Sequence, residues 1–194
     1  MTPPTPAPDE VRILKTRIQR LEDLARVSRL LHSTIEPREA LRRLLSEALR
    51  LLPAQSGTVC LVNPNTGFLE IEAAHGLPDK APLLRLRIGE GLTGWVARTG
   101  RPVRIGNVSQ DRRYFPLRPG VQSEMAVPIL SEGEVRGVIN LDADQAEAFS
   151  AEDEAFLIEL AALSAPAIAN TWLYESARQR ANLLESLVKV GHTI

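Results

Sequence analysis

The chain has 194 residues but a single cysteine, three histidines and only 4% aromatic residues. A lone thiol, Cys60, excludes an internal disulfide framework and a cysteine-based metal site. His32, His75 and His192 are scattered singly, so nothing beyond one axial ligand supports a metal or haem centre. No apolar run approaches the roughly 18 residues of a membrane-spanning helix. The formal net charge is −1, without the excess of one sign that nucleic acid or an anionic membrane would attract. The opening MTPPTPAPDE has neither the charged nor the apolar region of a secretory signal. It reads as a proline-rich disordered leader over residues 1–10, and the expected compartment is the cytoplasm.

What is present suits a soluble globular protein: 44% hydrophobic and 24% charged residues. Val11, Leu14, Ile18 and Leu21 recur at spacings of three and four, and Leu24, Val27 and Leu31 continue the stripe, predicting a helix over 11–35. Pro37 suits the first turn of a second helix, which carries a broad apolar face before Pro53 stops it. The middle of the chain changes period. Gly57–Asn63 and Phe68–His75 read as strands about the turn NPNTG, and Leu83–Ile88 alternates again. Ser123–Leu130, the turn SEGE and Val135–Asp142 predict a second hairpin. Ser150 and Asp153 then form a capping box that opens a long final helix, in which Pro166 predicts a kink.

RIGEGLTGWVARTGRPVRI, Arg87–Ile105, contains G-x-G-x-x-G at Gly89, Gly91 and Gly94. A dinucleotide loop needs a buried parallel strand before it and a full crossover helix after it. The preceding strand alternates leucine with arginine, which suits a half-exposed antiparallel strand. The following helix, TGWVART, is stopped by Gly100 and Pro102. A kinase reading needs a lysine on the next strand and an H-R-D loop, but the lysines are Lys15, Lys80 and Lys189, and H-R-D does not occur. The glycines therefore serve a tight strand-to-helix turn, with Thr93 expected to cap and Trp95 to pack.

GEGLTGWVARTGRPVRIGNVSQDRRY, SEMAVPILSEGEVRGVINLD and FSAEDEAFLIELAALSAPAIANTWLYE together resemble a GAF domain, over about Glu36 to Glu175. The resemblance implies an α+β fold: an antiparallel sheet of five or six strands, its N- and C-terminal helices packed on one face. It places a pocket on the other face, closed by the segment Asn107–Leu117. It also implies a sensory or dimerising module of a signalling protein and an organisation of four parts. These are the leader at 1–10, a signalling helix at 11–35, the GAF domain at 36–175 and a linker helix at 176–194 leading toward a further module.

Residue-by-residue comparison narrows the subfamily. The N-K…F-x-x-x-D-E signature of cyclic-nucleotide GAF domains is matched at Asn140, Phe149, Asp153 and Glu154, but Leu141 replaces the lysine. Cyclic nucleotides are therefore expected to bind weakly or not at all. Free-methionine-sulfoxide reductases of this fold use cysteines for redox exchange, and bilin-binding members need a thiol at the pocket. Cys60, alone on a predicted core strand, suits neither. No nucleophile–base set is apparent, so the chain is read as a non-enzyme, and no cofactor is named.

The expected pocket wall is Trp95, Ile105, Met125, Val127 and Ile139, with Asp111, Arg113 and Tyr114 on the lid. Arg98, Arg101, Arg104, Arg112, Arg113 and Arg118 cluster there, as a solvated face or as an attractor of an anionic ligand. Leu21–Val27 and Leu184–Val190 share L-E-x-L-x-(Arg/Lys)-V, as though a second lead-in helix begins at the tail. Apolar positions at Val11, Leu14, Ile18 and Leu21, and at Leu173, Leu184 and Leu187, predict a parallel homodimer through the terminal helices. The functional expectation is thus a cytoplasmic sensor that binds a small molecule and relays it through dimeric helices, touching neither nucleic acid nor membrane. The alternatives are a ligand-free dimerisation scaffold and a cyclic-nucleotide-binding domain.

Overall fold

The computed structural model describes residues 8–34, 36–63, 66–78, 86–166 and 168. Two helices open the fold, α1 (Pro8–His32) and α2 (Pro37–Leu51). Strands β1 (Ser56–Val62), β2 (Phe68–His75) and β3 (Leu86–Arg87) follow, then helix α3 (Gly91–Thr99) and strand β4 (Val103–Ile105). A short 3-10 turn at Val108–Gln110 begins a loop that leads to the hairpin β5 (Ser123–Ser131) and β6 (Glu134–Ala143). A final helix, α4, runs through 151–166. Helix α1 begins three residues inside the segment read as a leader. The tail seam at Leu173, Leu184 and Leu187 lies outside the described residues.

The strands form one sheet in the order β3-β2-β1-β6-β5-β4, and every neighbouring pair is antiparallel. This matches the expected α+β architecture at its upper strand count. The edge strand β4, only three residues long, carries no sequence pattern of its own. The β5–β6 turn places Glu132 and Gly133 at φ 54° and 80°. Left-handed residues at both central positions give the twist that a two-residue hairpin needs.

Period-two alternation divides the core into two layers. Met125, Val127 and Ile129 of β5, Ile139, Leu141 and Ala143 of β6, and Val59 and Leu61 of β1 face the three helices α1, α2 and α4. There they meet Val27, Leu41, Leu44, Phe156, Leu157 and Leu160. Cys60, Ala126 and Val138 point to the other face and pack with Leu69, Leu92, Val96 and Val103. Helix α3 covers that second face.

The capping box is in place: the Ser150 amide donates to Asp153 Oδ2 at 2.9 Å, and the Asp153 amide donates to Ser150 Oγ at 3.1 Å. Thr93 does not cap α3. The N-cap is Glu90, and no side chain caps this helix end. The helix starts two residues before TGWVART because Gly89 and Gly91, at φ 94° and 67°, turn the chain earlier than Thr93.

Candidate functional site

A cleft opens between the second face of the sheet, the N-terminal turn of α3 and the loop that precedes β5. Leu86, Glu90, Gly91, Leu92 and Thr93 line one side, Tyr114, Phe115 and Leu117 the lid, and Glu124, Asn140 and Asp142 the floor. The enclosed cavity is small, about 20 Å³. That is room for one or two waters, so the lid sits almost closed.

The floor is polar because of strand register. Glu124 of β5 lies directly opposite Asp142 of β6, and Ala126 lies opposite Asn140. Antiparallel partners present their side chains on the same face, so two carboxyls and one amide meet in a small space. All three are buried, at 5% exposure for Glu124 and Asp142 and 3% for Asn140. Asp142 accepts from Ser56 Oγ and from Asn140 Nδ2, each at 3.0 Å. The Asn140 side-chain oxygen is buried with no hydrogen-bond partner.

Burial pushes the Glu124 carboxyl well above the ordinary range, and the nearby Asp142 and Asp111 charges push the same way. Arg113 and Asn140 oppose this only in part. Burial also raises Asp142, against the pull of Ser56, Asn140 and Arg118. Two carboxyls sharing one dry site cannot both ionise freely, and Glu124, with fewer donors around it, is the one pushed further toward its neutral form.

The lid is fastened at several points. Arg113 forks onto Asp111 at 3.0 and 2.7 Å, and its guanidinium lies 4.6 Å from the centre of the Trp95 ring. This pairing holds Asp111 below the usual carboxylate range and raises Arg113. Tyr114 is raised, chiefly by burial, and faces the Glu124 and Asp142 charges. At the other end of the lid, Arg118 donates to Ser56 Oγ and pairs with Asp144 at 2.6 Å.

The expected site residues divide into two groups. Asp111, Arg113 and Tyr114 lie in the lid segment, with Trp95 beneath Arg113 and Ile105 in the same core layer, but of these five only Tyr114 lines the cleft. Met125, Val127 and Ile139 do not belong to this wall. They point to the helical layer on the opposite face, one register step away. Glu124, Asn140 and Asp142 take their place. The polar alternation of Asn140 and Asp142, set across the hairpin from Glu124, was the available signal.

Half of the six-arginine cluster is used internally. Arg104 donates to the Phe149 carbonyl at 3.0 Å and lies 3.5 Å from Glu154, while Arg113 and Arg118 are paired as above. Among the described residues no group of three histidine, cysteine, aspartate or glutamate side chains could hold a metal ion. Cys60 is free and buried, its thiol pushed up to about 11 by desolvation.

The chain matches the GAF domain family over residues 34–169. It belongs to that family. The Nif-specific regulatory protein of Azospirillum lipoferum is 32% identical over 124 residues, which are 60% of this chain and 20% of that protein. The chain thus spans about a fifth of the length of this curated relative. The GAF domain of an Acinetobacter phosphoenolpyruvate-protein phosphotransferase superposes with a TM-score of 0.74 at 23% identity, covering 80% of this chain and 95% of that one. A type II free methionine-R-sulfoxide reductase from Thermoplasma acidophilum superposes with a TM-score of 0.61 at 28% identity, covering 70% and 96%. The fold therefore occurs in regulators and in enzymes alike. Among the described residues no helix of this GAF domain is long and apolar enough to cross a membrane.

Proposed function

We propose that this GAF domain is a cytoplasmic sensory module of a larger regulator. It binds a small molecule under the lid and passes the resulting movement to its terminal helices. The observation that carries the reading is how the lid is attached. Both of its ends are tied to the end of β6 and the loop that leads from it to α4. Arg118 reaches Asp144, the Gln122 amide bonds the Ala143 carbonyl, and Ser123 Oγ bonds the Gln145 carbonyl. At the lid's start, the Glu147 amide bonds the Gly106 carbonyl, and Arg104 holds Phe149 and Glu154 at the head of α4. A lid that shifts when the cleft fills must pull on this loop, and so on α4. Reductase chemistry is not part of the proposal, because the sole thiol is buried and held in its neutral form.

Cutting one tie tests the relay. Arg118→Ala should speed hydrogen exchange several-fold in residues 151–160 while leaving α2 unchanged. Equal exchange in α4 of both proteins would refute the relay.

The output arm of the proposal is a homodimer. Ile13, Leu14, Ile18 and Leu21 of α1 are 54–63% exposed, and Ile13 and Leu21 border, with Ala155 and Phe156, a groove between α1 and α4. A second copy of α1 would cover this stripe and build a four-helix contact. Light scattering should give a dimer for the chain and a folded monomer for the triple variant Leu14→Glu, Ile18→Glu, Leu21→Glu. A monomeric parent at about 50 µM, a concentration suited to weak association, would defeat the dimer.

A further inference from the structure

We infer that the cleft takes a small organic ammonium, its nitrogen seated among Glu124, Asp142 and the Asn140 side-chain carbonyl, with its apolar body under Phe115 and Leu117. The inference rests on the cleft being the ligand site, and names the class of ligand.

Asn140 provides the first argument. Its amide nitrogen is committed to Asp142, and its oxygen, buried at the floor of the cleft, has no partner. An unmet buried acceptor is costly, and natural structures retain few of them. A donor arriving from the cleft would satisfy it.

The second argument is the kind of group that surrounds it. Each Asp142 oxygen receives one donor, from Ser56 or Asn140, and a carboxylate oxygen can accept two. Glu124 stands opposite across the strand pair. With Glu124 deprotonated three acceptor groups converge, and a primary ammonium carries three donors and the charge that would draw the Glu124 proton off. An anionic group here would meet two acids. A calcium-like cation would ask for six or more oxygens, whereas the floor has two carboxyls and one amide.

The protein's own cations do not fill the place. Arg113 is forked onto Asp111 and stacked on Trp95, and Arg118 is held by Ser56, Pro119 and Asp144. Among the described ion pairs, neither Glu124 nor Asp142 has a partner. The enclosed cavity, about 20 Å³, suits an ammonium head, which is close to water in size. Leu86, Leu92, Phe115 and Leu117 line the remainder.

The opposite wall separates two sources of the same chemistry. Gly91, Leu92 and Thr93 are the first residues of α3, a nine-residue helix whose N-terminus has no side-chain cap. Such an end favours an anion. A simple amine would use the acidic floor alone, and an α-amino acid would use floor and helix end together.

The test is calorimetry and amide NMR on the full chain with four probes of similar length: n-butylamine, L-norleucine, n-butanol and pentanoate. Butylamine, norleucine or both should bind and shift the resonances of Tyr114 and Asn140, whereas butanol and pentanoate should not. Norleucine binding about tenfold tighter than butylamine assigns the amino-acid form, and equal binding assigns the simple amine. The isosteric Glu124→Gln and the smaller Asn140→Ser should each weaken binding at least tenfold, with folding of both checked by circular dichroism. If butanol or pentanoate binds the cleft as well as the ammonium probes do, the ligand class is wrong, although the sensor reading stands. If no probe binds, or both variants bind like the parent, the inference is likewise overturned. The Arg118→Ala exchange experiment then judges the sensor reading by itself.

Discussion

Gly94→Ala is expected to remove about 3 kcal/mol or more of stability, on the scale of the severe steric substitutions. A Cβ at this position would lie 2.5 Å from the Arg87 carbonyl oxygen, 3.0 Å from the Gly89 nitrogen and 3.2 Å from the Gly89 carbonyl carbon. All three are backbone atoms, so no side-chain rotation relieves the clash. The close approach is also bonded, since the Gly89 amide donates to the Gly94 carbonyl at 2.7 Å. The methyl would force α3 away from the turn that follows β3 and open the second core layer at Leu92 and Val96. Gly120 supplies the contrast. It has a φ of 84° but nothing within 4 Å of an added Cβ, so alanine there should cost only about 1 kcal/mol of backbone strain. Urea denaturation of the two variants measures the difference. Equal losses would mean that backbone conformation, and not the contact at Gly94, is what the structure protects.

That contact also explains the G-x-G-x-x-G pattern. Its first two glycines have positive φ, and its third lets a helix approach a preceding turn. A phosphate loop asks the same of glycine, so the spacing alone could not tell the two apart. The flanking residues could. Alternating leucine and arginine on one side, and a helix stopped by Gly100 on the other, argue against a nucleotide loop.

The site was harder to read than the fold, for a definite reason. Every residue from Ser123 to Ile129 and from Gly137 to Ala143 is buried, because both faces of β5 and β6 are covered. Choosing the apolar members of such strands selects the wider helical layer, as it did for Met125, Val127 and Ile139. Polar residues at alternate positions of a buried strand were the better guide. Glu124, Asn140 and Asp142 each incur a burial cost that packing alone does not return. Their pairing was within reach of the hairpin turn, but a register shift between Ile129 and Leu130 moves it by one residue. A single-residue bulge is not visible in composition. The lid was legible as a segment, through Asp111, Arg113 and Tyr114, yet its fastening to the β6–α4 loop depends on contacts between residues distant in sequence.

Glu124→Gln is expected to make the protein more stable than the parent at pH 8 and to flatten the fall in stability between pH 5 and pH 8. The folded Glu124 carboxyl is raised well above its ordinary value, first by burial and then by Asp142 and Asp111. In the unfolded chain the same group releases its proton near about pH 4.3, as any glutamate does. Between that pH and the folded value the native state holds the extra proton. Stability therefore declines as pH rises through the window. Asp142 is raised too and acts in the same direction. Asp111 is lowered by Arg113 and acts oppositely, but its contribution is lost only as pH falls below the ordinary carboxylate range. The parent should thus be most stable on the acid side of neutrality. Glutamine keeps the shape and a hydrogen-bond donor while removing the charge, so at pH 8 the variant escapes the cost of ionising a buried group. A gain of about 1–3 kcal/mol is the scale expected for one uncompensated buried polar group. At pH 5, where Glu124 is already protonated, the two proteins should be within about 0.5 kcal/mol, the usual spread of a change that removes no contact. Urea midpoints at the two pH values give the comparison directly. Parallel curves for parent and variant would show that Glu124 is ionised in the folded protein at neutral pH, and the acidic floor would then need a resident cation to hold it.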